Sequence, residues 1–200
     1  MALRLVSVFL CLTIHETCHG AAAYALGDPT AKREHRLSLN PLRHIDWLGL
    51  LMMMVAGFGW AKPVPVNPNY FKKTKQGMAL TALAGPISNF LLALVLLLGT
   101  RMMVDHAVYT DFNQALVDFM VQTALLSIGL GLFNLVPIPP LDGAKVLFSL
   151  LPDRMYGTML RYERIGMGVL LALSIIGVGG SWLTDAIAWV FGLFCRAVGL

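Results

Sequence analysis

His15, Glu16 and His19 stand in LTIHETCHGAAA, residues 12–23, inside an apolar run that begins at the N-terminus. Side chains four residues apart on a helix lie one turn apart on the same face, so both imidazoles project together. That spacing lets both ring nitrogens reach one zinc ion at about 2.0–2.1 Å. Glu16 is turned about 100° from His15, beside such an ion but out of line with its ligands. It suits a base that takes a proton from a water acidified by the metal. The alternative is a polar cluster that only hydrogen-bonds between helices. The cost of each such group inside a membrane helix weighs against an idle cluster.

A catalytic zinc usually has three protein ligands, so the third must come from elsewhere in the chain. His35, His44, Asp46, His106 and Asp142 are the residues to weigh. His106 falls in an expected outer loop, away from the inner half of the first helix. His35 stands in the charged stretch KREHR and reads as solvated. His44 and Asp46, in NPLRHIDWLG, remain open as ligands, with capping and interfacial hydrogen bonding as the ordinary alternative. Asp142 lies in NLVPIPPLDGAKVL, where Pro137, Pro139 and Pro140 exclude regular helix and Gly143 permits a tight turn. It also sits at the inner end of its span, at the depth of the histidines, and is the preferred third ligand. Cys18 adjoins His19 but reads as small-residue packing. Cys11, Cys18 and Cys195 have no metal or redox spacing of their own, so buried free thiols are expected.

The elements that must hold these residues are membrane helices. The 200 residues are 57% hydrophobic and 13% charged, and mean hydropathy is +0.70, which belongs to the membrane class. Apolar stretches at about 2–26, 78–100, 119–136 and 165–180 approach the roughly 20 residues needed to cross a bilayer. A stretch at 182–198, carrying Asp185 and Arg196, is either a last span or an interfacial helix. One domain over 1–200 is expected, since no linker or low-complexity tract divides the chain. The net charge of +4 does not signal nucleic acid, because the basic residues flank apolar segments instead of clustering with aromatics.

A shorter apolar stretch, 45–61, lies between two basic loops. One holds Lys32, Arg33, Arg36 and Arg43, the other Lys62, Lys72, Lys73 and Lys75. Both loops read as cytoplasmic by the positive-inside rule, so the stretch is expected to dip in and return. Irregular backbone at that depth requires a protein-lined or wet pocket. Its Gly49, Gly57 and Gly59 suggest a segment that pairs with an extended substrate by strand addition. The loop 101–118, with Asp105, Asp111 and Asp118, reads as outer. The N-terminus is then outside and the histidines face the inner side.

With HETCH and NLVPIPPLDG together, the chain resembles the site-2 protease family of intramembrane metalloproteases. The resemblance extends through GDPTAKREHRLSLNPLRHIDWLG, GFGWAKPVPVNP and LAGPISNFLLAL, covering roughly residues 5–150. It implies an all-α polytopic membrane fold: three transmembrane helices, a re-entrant segment and one or two C-terminal helices. It implies one zinc per chain held by His15, His19 and Asp142, with Glu16 as the base. It further suggests that Asn89 and Asn134 hold the substrate backbone or stabilise the oxyanion, with helix-joining polar contacts as the alternative. Gly85 and Pro86 are expected to serve packing and a kink. No PDZ or CBS domain is legible, so a minimal catalytic core is expected. The implied substrate is a transmembrane protein or peptide within the lipid bilayer, and the implied location is a prokaryotic plasma membrane with the site toward the cytoplasm. A zinc hydrolase with a glutamate as third ligand is disfavoured because Glu34 and Glu163 stand in charged loops. A metal transporter or a non-catalytic scaffold is the remaining alternative. The transporter would need more acidic and histidine residues in later spans; the scaffold would not need Glu16.

Overall fold

The computed structural model describes residues 2–56, 61–106, 110–152, 165–166, 168–170, 172 and 180–200. Among the described residues, four helices are long and apolar enough to cross a membrane: α1 (Ala2–Ala25), α4 (Thr74–His106), α5 (Asp111–Asn134) and α7 (Gly180–Val198). Three shorter ones, α2 (Thr30–Arg33), α3 (Trp47–Ala56) and α6 (Asp142–Ser149), sit in the connections. No strand occurs among the described residues; an isolated antiparallel bridge joins Ile45 to Ala61. The fold is therefore the all-α polytopic membrane architecture that the hydropathy predicts.

α4 is the hub, packing against α1, α5, α6 and α7. Small and polar residues let it do so, since lipid-embedded helices associate by close packing and hydrogen bonds and gain little from removing water. α1 presents an i, i+4 row, Ser7, Cys11, His15, His19 and Ala23, and every member is buried. Near its start Ser7 Oγ meets Thr123 Oγ1 of α5 at 2.7 Å. Farther along, the same row delivers the two histidines to α4.

The long helices outrun the apolar stretches in two places. α4 continues past residue 100 to His106, and α5 begins at Asp111, so most of the expected loop 101–118 is helical. Arg101 and Asp105 form an i, i+4 ion pair at 2.7 Å that supports the extension, and the Thr110 side chain caps α5 through Asn113 N–H. A hydropathy count stops at charges that a helix accommodates in its final turns. The stretch 182–198 emerges as α7, packed on α5 and α4, with Arg101 donating to the Gly199 carbonyl. The expected span at 165–180 falls largely outside the described residues.

The stretch 45–61 begins and ends side by side. Besides the bridge, Lys62 N–H donates to the His44 carbonyl at 2.9 Å, so the chain returns to where it left. Its described part is α3, not an extended edge: Asp46 Oδ1 accepts the Gly49 N–H at 2.9 Å and starts the helix. Gly49 thus lies in a helix whose backbone is internally bonded, and no strand can be added there. Gly57 and Gly59 lie outside the described residues.

Candidate active site

Three segments distant in sequence converge where α1, α4 and α6 meet. His15 and His19 come from the buried row of α1. Asp142 comes from the first turn of α6, after the prolines that break the chain at the end of α5. Gly143 makes this turn feasible, because a Cβ there would run into the Leu135 carbonyl. His15 Nε2 lies 3.2 Å from Asp142 Oδ2, His19 Nε2 lies 3.1 Å from the same oxygen, and the two Nε2 atoms are 3.0 Å apart. Ligands of a tetrahedral zinc at 2.0–2.1 Å stand about 3.3 Å from one another. The nearly equilateral triangle of two imidazole nitrogens and one carboxylate oxygen therefore fits a zinc ion, and His15, His19 and Asp142 form a group able to hold a metal.

The surroundings prepare these atoms. His19 Nδ1 donates to the Thr81 carbonyl of α4 at 2.7 Å, which leaves the Nε2 lone pair for a metal. Asp142 turns Oδ2 to the histidines, while Oδ1 lies 3.5 Å from Lys145 Nζ. Burial works to raise the Asp142 carboxyl, but its polar contacts with the His15 and His19 rings and the nearby Lys145 ammonium hold it well below the usual carboxylate range. The side chain is thus an anion, the form a metal requires. Gly85 of α4 faces both rings: a Cβ there would stand 2.5 Å from His19 Nε2 and 2.6 Å from His15 Cε1.

Glu16 is half-buried beside this group. Its Oε2 accepts the Val64 N–H at 2.9 Å. Val64 belongs to residues 61–67, where Pro63, Pro65 and Pro68 restrict the residues before them to extended conformations. Charged side chains clamp this segment by its backbone. Arg36 donates to the Lys62 carbonyl at 2.6 Å and to the Pro63 carbonyl at 3.2 Å; Asp28 Oδ2 accepts the Asn67 N–H at 2.7 Å.

The other sequence candidates fall elsewhere. His44 Nε2 donates to the Ser38 carbonyl at 2.8 Å, Asp46 caps α3, His35 adopts φ of 54° on an exposed turn, and His106 ends α4. Cys18 is half-buried and outside the triangle. Asn89 lies behind His15, fully buried, with Nδ2 3.0 Å from His15 Nδ1. Asn134 donates back to the Leu130 carbonyl of its own helix at 2.9 Å. Thr81 and Val64 act through backbone atoms, so no side-chain type announced them. Lys145 is the i, i+3 partner of Asp142 at the start of α6, a pairing that helical spacing makes legible.

The family model for peptidase family M50 matches residues 101–177. YwhC of Bacillus subtilis (strain 168), provisionally named a zinc metalloprotease, is 38% identical over 181 residues, covering 90% of this chain and 83% of its own. The chain belongs to family M50, the site-2 proteases. Rip2 of Mycobacterium tuberculosis (strain ATCC 25618 / H37Rv), also provisionally named a zinc metalloprotease, is 32% identical over 192 residues, covering 93% of this chain and 71% of its own. Zinc metalloprotease MJ0392 of Methanocaldococcus jannaschii is 23% identical over 175 residues, covering 88% of this chain and 41% of its own. No solved structure gives a significant match. Membership of M50 makes the chain a zinc metallopeptidase, and its apolar helices make it an integral membrane protein.

Proposed function

We propose that the protein is an intramembrane endopeptidase of the His-Glu-x-x-His type. It cuts peptide bonds within or beside transmembrane segments of other membrane proteins, using one zinc per chain. The observation that carries this reading is the triangle of His15, His19 and Asp142, buried between helices long enough to span a bilayer. Zinc held there would supply Lewis acidity to a peptide carbonyl and lower the pKa of a water. Glu16 takes the water's proton and passes it to the departing amine. The Val64 N–H fixes one of its carboxylate oxygens, leaving the other for proton transfer. Because a helical substrate hides its carbonyls in its own hydrogen bonds, it must unwind before a carbonyl reaches the site. The basic loops 27–44 and 62–76 support a site toward the cytoplasm, and bacterial and archaeal relatives support a prokaryotic plasma membrane.

The test is zinc per purified chain, with cleavage of a transmembrane peptide in liposomes, for the wild type, Asp142→Ala and Glu16→Gln. The wild type should hold close to one zinc and Asp142→Ala should lose it. Glu16→Gln should keep the metal while cleavage falls by about 10²- to 10⁴-fold. A folded wild type without zinc refutes the reading. Cleavage undiminished in Glu16→Gln removes Glu16 from the chemistry.

A further inference from the structure

The two histidines are not prepared alike. His19 gives its Nδ1 proton to a carbonyl, which can only accept, so its Nε2 is free to ligate. His15 Nδ1 instead faces the side-chain amide of Asn89. An amide has an accepting end and a donating end of nearly the same shape, so the hydrogen-bond network decides which end faces the ring. With Nδ2 toward His15, the ring is held in the tautomer that carries its proton on Nε2. That proton would point into the triangle, toward His19 Nε2 and Asp142 Oδ2, where a cation must sit. In that orientation Asn89 Oδ1 faces away from the ring and has no hydrogen-bond partner among the described residues, so no contact of the oxygen holds the amide that way round.

Turning the amide about its terminal bond resolves the conflict at His15. Oδ1 then accepts from Nδ1–H, and Nε2 presents a lone pair to the triangle, as His19 already does. Asn89 is well held for this role. It is fully buried, and its own carbonyl accepts the Ser127 hydroxyl of α5 at 2.8 Å, which fixes the backbone from which the side chain swings.

We propose that Asn89 is a positioning residue for the metal: its side-chain oxygen accepts the Nδ1 proton of His15 and selects the ligating tautomer. This rests on the zinc reading above. It gives Asn89 a different task from the substrate or oxyanion contact expected from the resemblance, since Asn89 approaches the site from behind the ligand ring.

Two variants separate these roles. Asn89→Leu keeps approximate size but removes the acceptor; Asn89→Asp keeps an obligatory acceptor and removes the donor. Zinc affinity is measured by competition with a chromogenic chelator, and cleavage is measured at saturating zinc. Asn89→Leu should weaken zinc by roughly 10- to 100-fold, as loss of a ligand's hydrogen-bond partner does, and recover most of its kcat once zinc saturates. Asn89→Asp should bind zinc at least as well as the wild type. Equal weakening in both variants would mean that the donor end is used and would overturn the proposal. So would Asn89→Leu with unchanged affinity and low kcat, the signature of an oxyanion or substrate contact. Should the buried carboxylate of Asn89→Asp prevent folding, the ring ¹⁵N chemical shifts of the zinc-loaded wild type decide instead: a proton on His15 Nδ1 is expected, and an unprotonated Nδ1 overturns the proposal. A wild type that binds no zinc defeats the underlying metal reading instead, and is distinguishable because it precedes any comparison of variants.

Discussion

The two halves of α4 bury different kinds of surface. The N-terminal half buries Gly77, Thr81, Ala82, Gly85, Pro86, Ser88 and Asn89, whereas the C-terminal half buries Ala93, Leu97 and Thr100. In the C-terminal half, Ala93 and Leu97 pack with Ala124 and Ile128 of α5 in an apolar cluster. In the N-terminal half, small residues let α1 approach until α4 meets the imidazoles directly, and polar atoms take up their ring nitrogens. One continuous helix thus holds the bundle together at one end and backs the cluster of His15, His19 and Asp142 at the other. Since oily side chains dominate lipid-spanning helices generally, a run of small and polar residues within one is the informative departure.

Gly85→Ala should have the largest effect. A methyl group 2.5 Å from His19 Nε2 and 2.6 Å from His15 Cε1 has no room unless α4 moves away or the rings turn. Either movement breaks the triangle, so zinc affinity should fall by more than the roughly 10- to 100-fold typical of losing an outer partner, and cleavage should be lost. Zinc titration and a cleavage assay check it. Retained metal would mean that the N-terminal half tolerates separation and that its small residues are not what sets the approach.

Leu97→Ala tests the C-terminal half. Leu97 is fully buried in the apolar cluster, so truncation leaves a cavity whose cost should be about 2–5 kcal/mol of stability. Zinc stoichiometry and cleavage per folded molecule should remain those of the wild type. Thermal unfolding in detergent alongside the zinc assay checks this. If Leu97→Ala loses metal while still folded, the two halves are coupled and the division of labour fails.

The contrast also explains what was legible in the sequence. His15 and His19 at i, i+4 and Asp142 after its prolines could be read because side-chain identity and local spacing carry the chemistry. Membrane helices could be read because apolar length is a direct physical requirement. The ends of α4 and α5 escape a hydropathy reading because charge interrupts hydropathy without interrupting a helix. The strand role expected of 45–61 does not hold at Gly49, because glycine content does not distinguish an extended edge from α3, which Asp46 initiates. The Val64 N–H on Glu16 and the Thr81 carbonyl on His19 had no sequence signal, since every residue offers such atoms and only the fold chooses among them.

Thr81 gives the smallest effect and the cleanest separation of backbone from side chain. Its carbonyl orients His19, yet its hydroxyl is buried without a hydrogen-bond partner among the described residues. Valine keeps the β-branched shape, so Thr81→Val should leave the carbonyl in place. Zinc affinity should therefore not change. Stability should rise by up to about 1 kcal/mol, because an unsatisfied buried hydroxyl is replaced by a methyl group that needs no partner. Zinc competition and thermal unfolding read the two quantities separately. A clear loss of affinity would show that the hydroxyl takes part in holding His19, and the N-terminal half of α4 would then act through a side chain at this position as well as at Asn89.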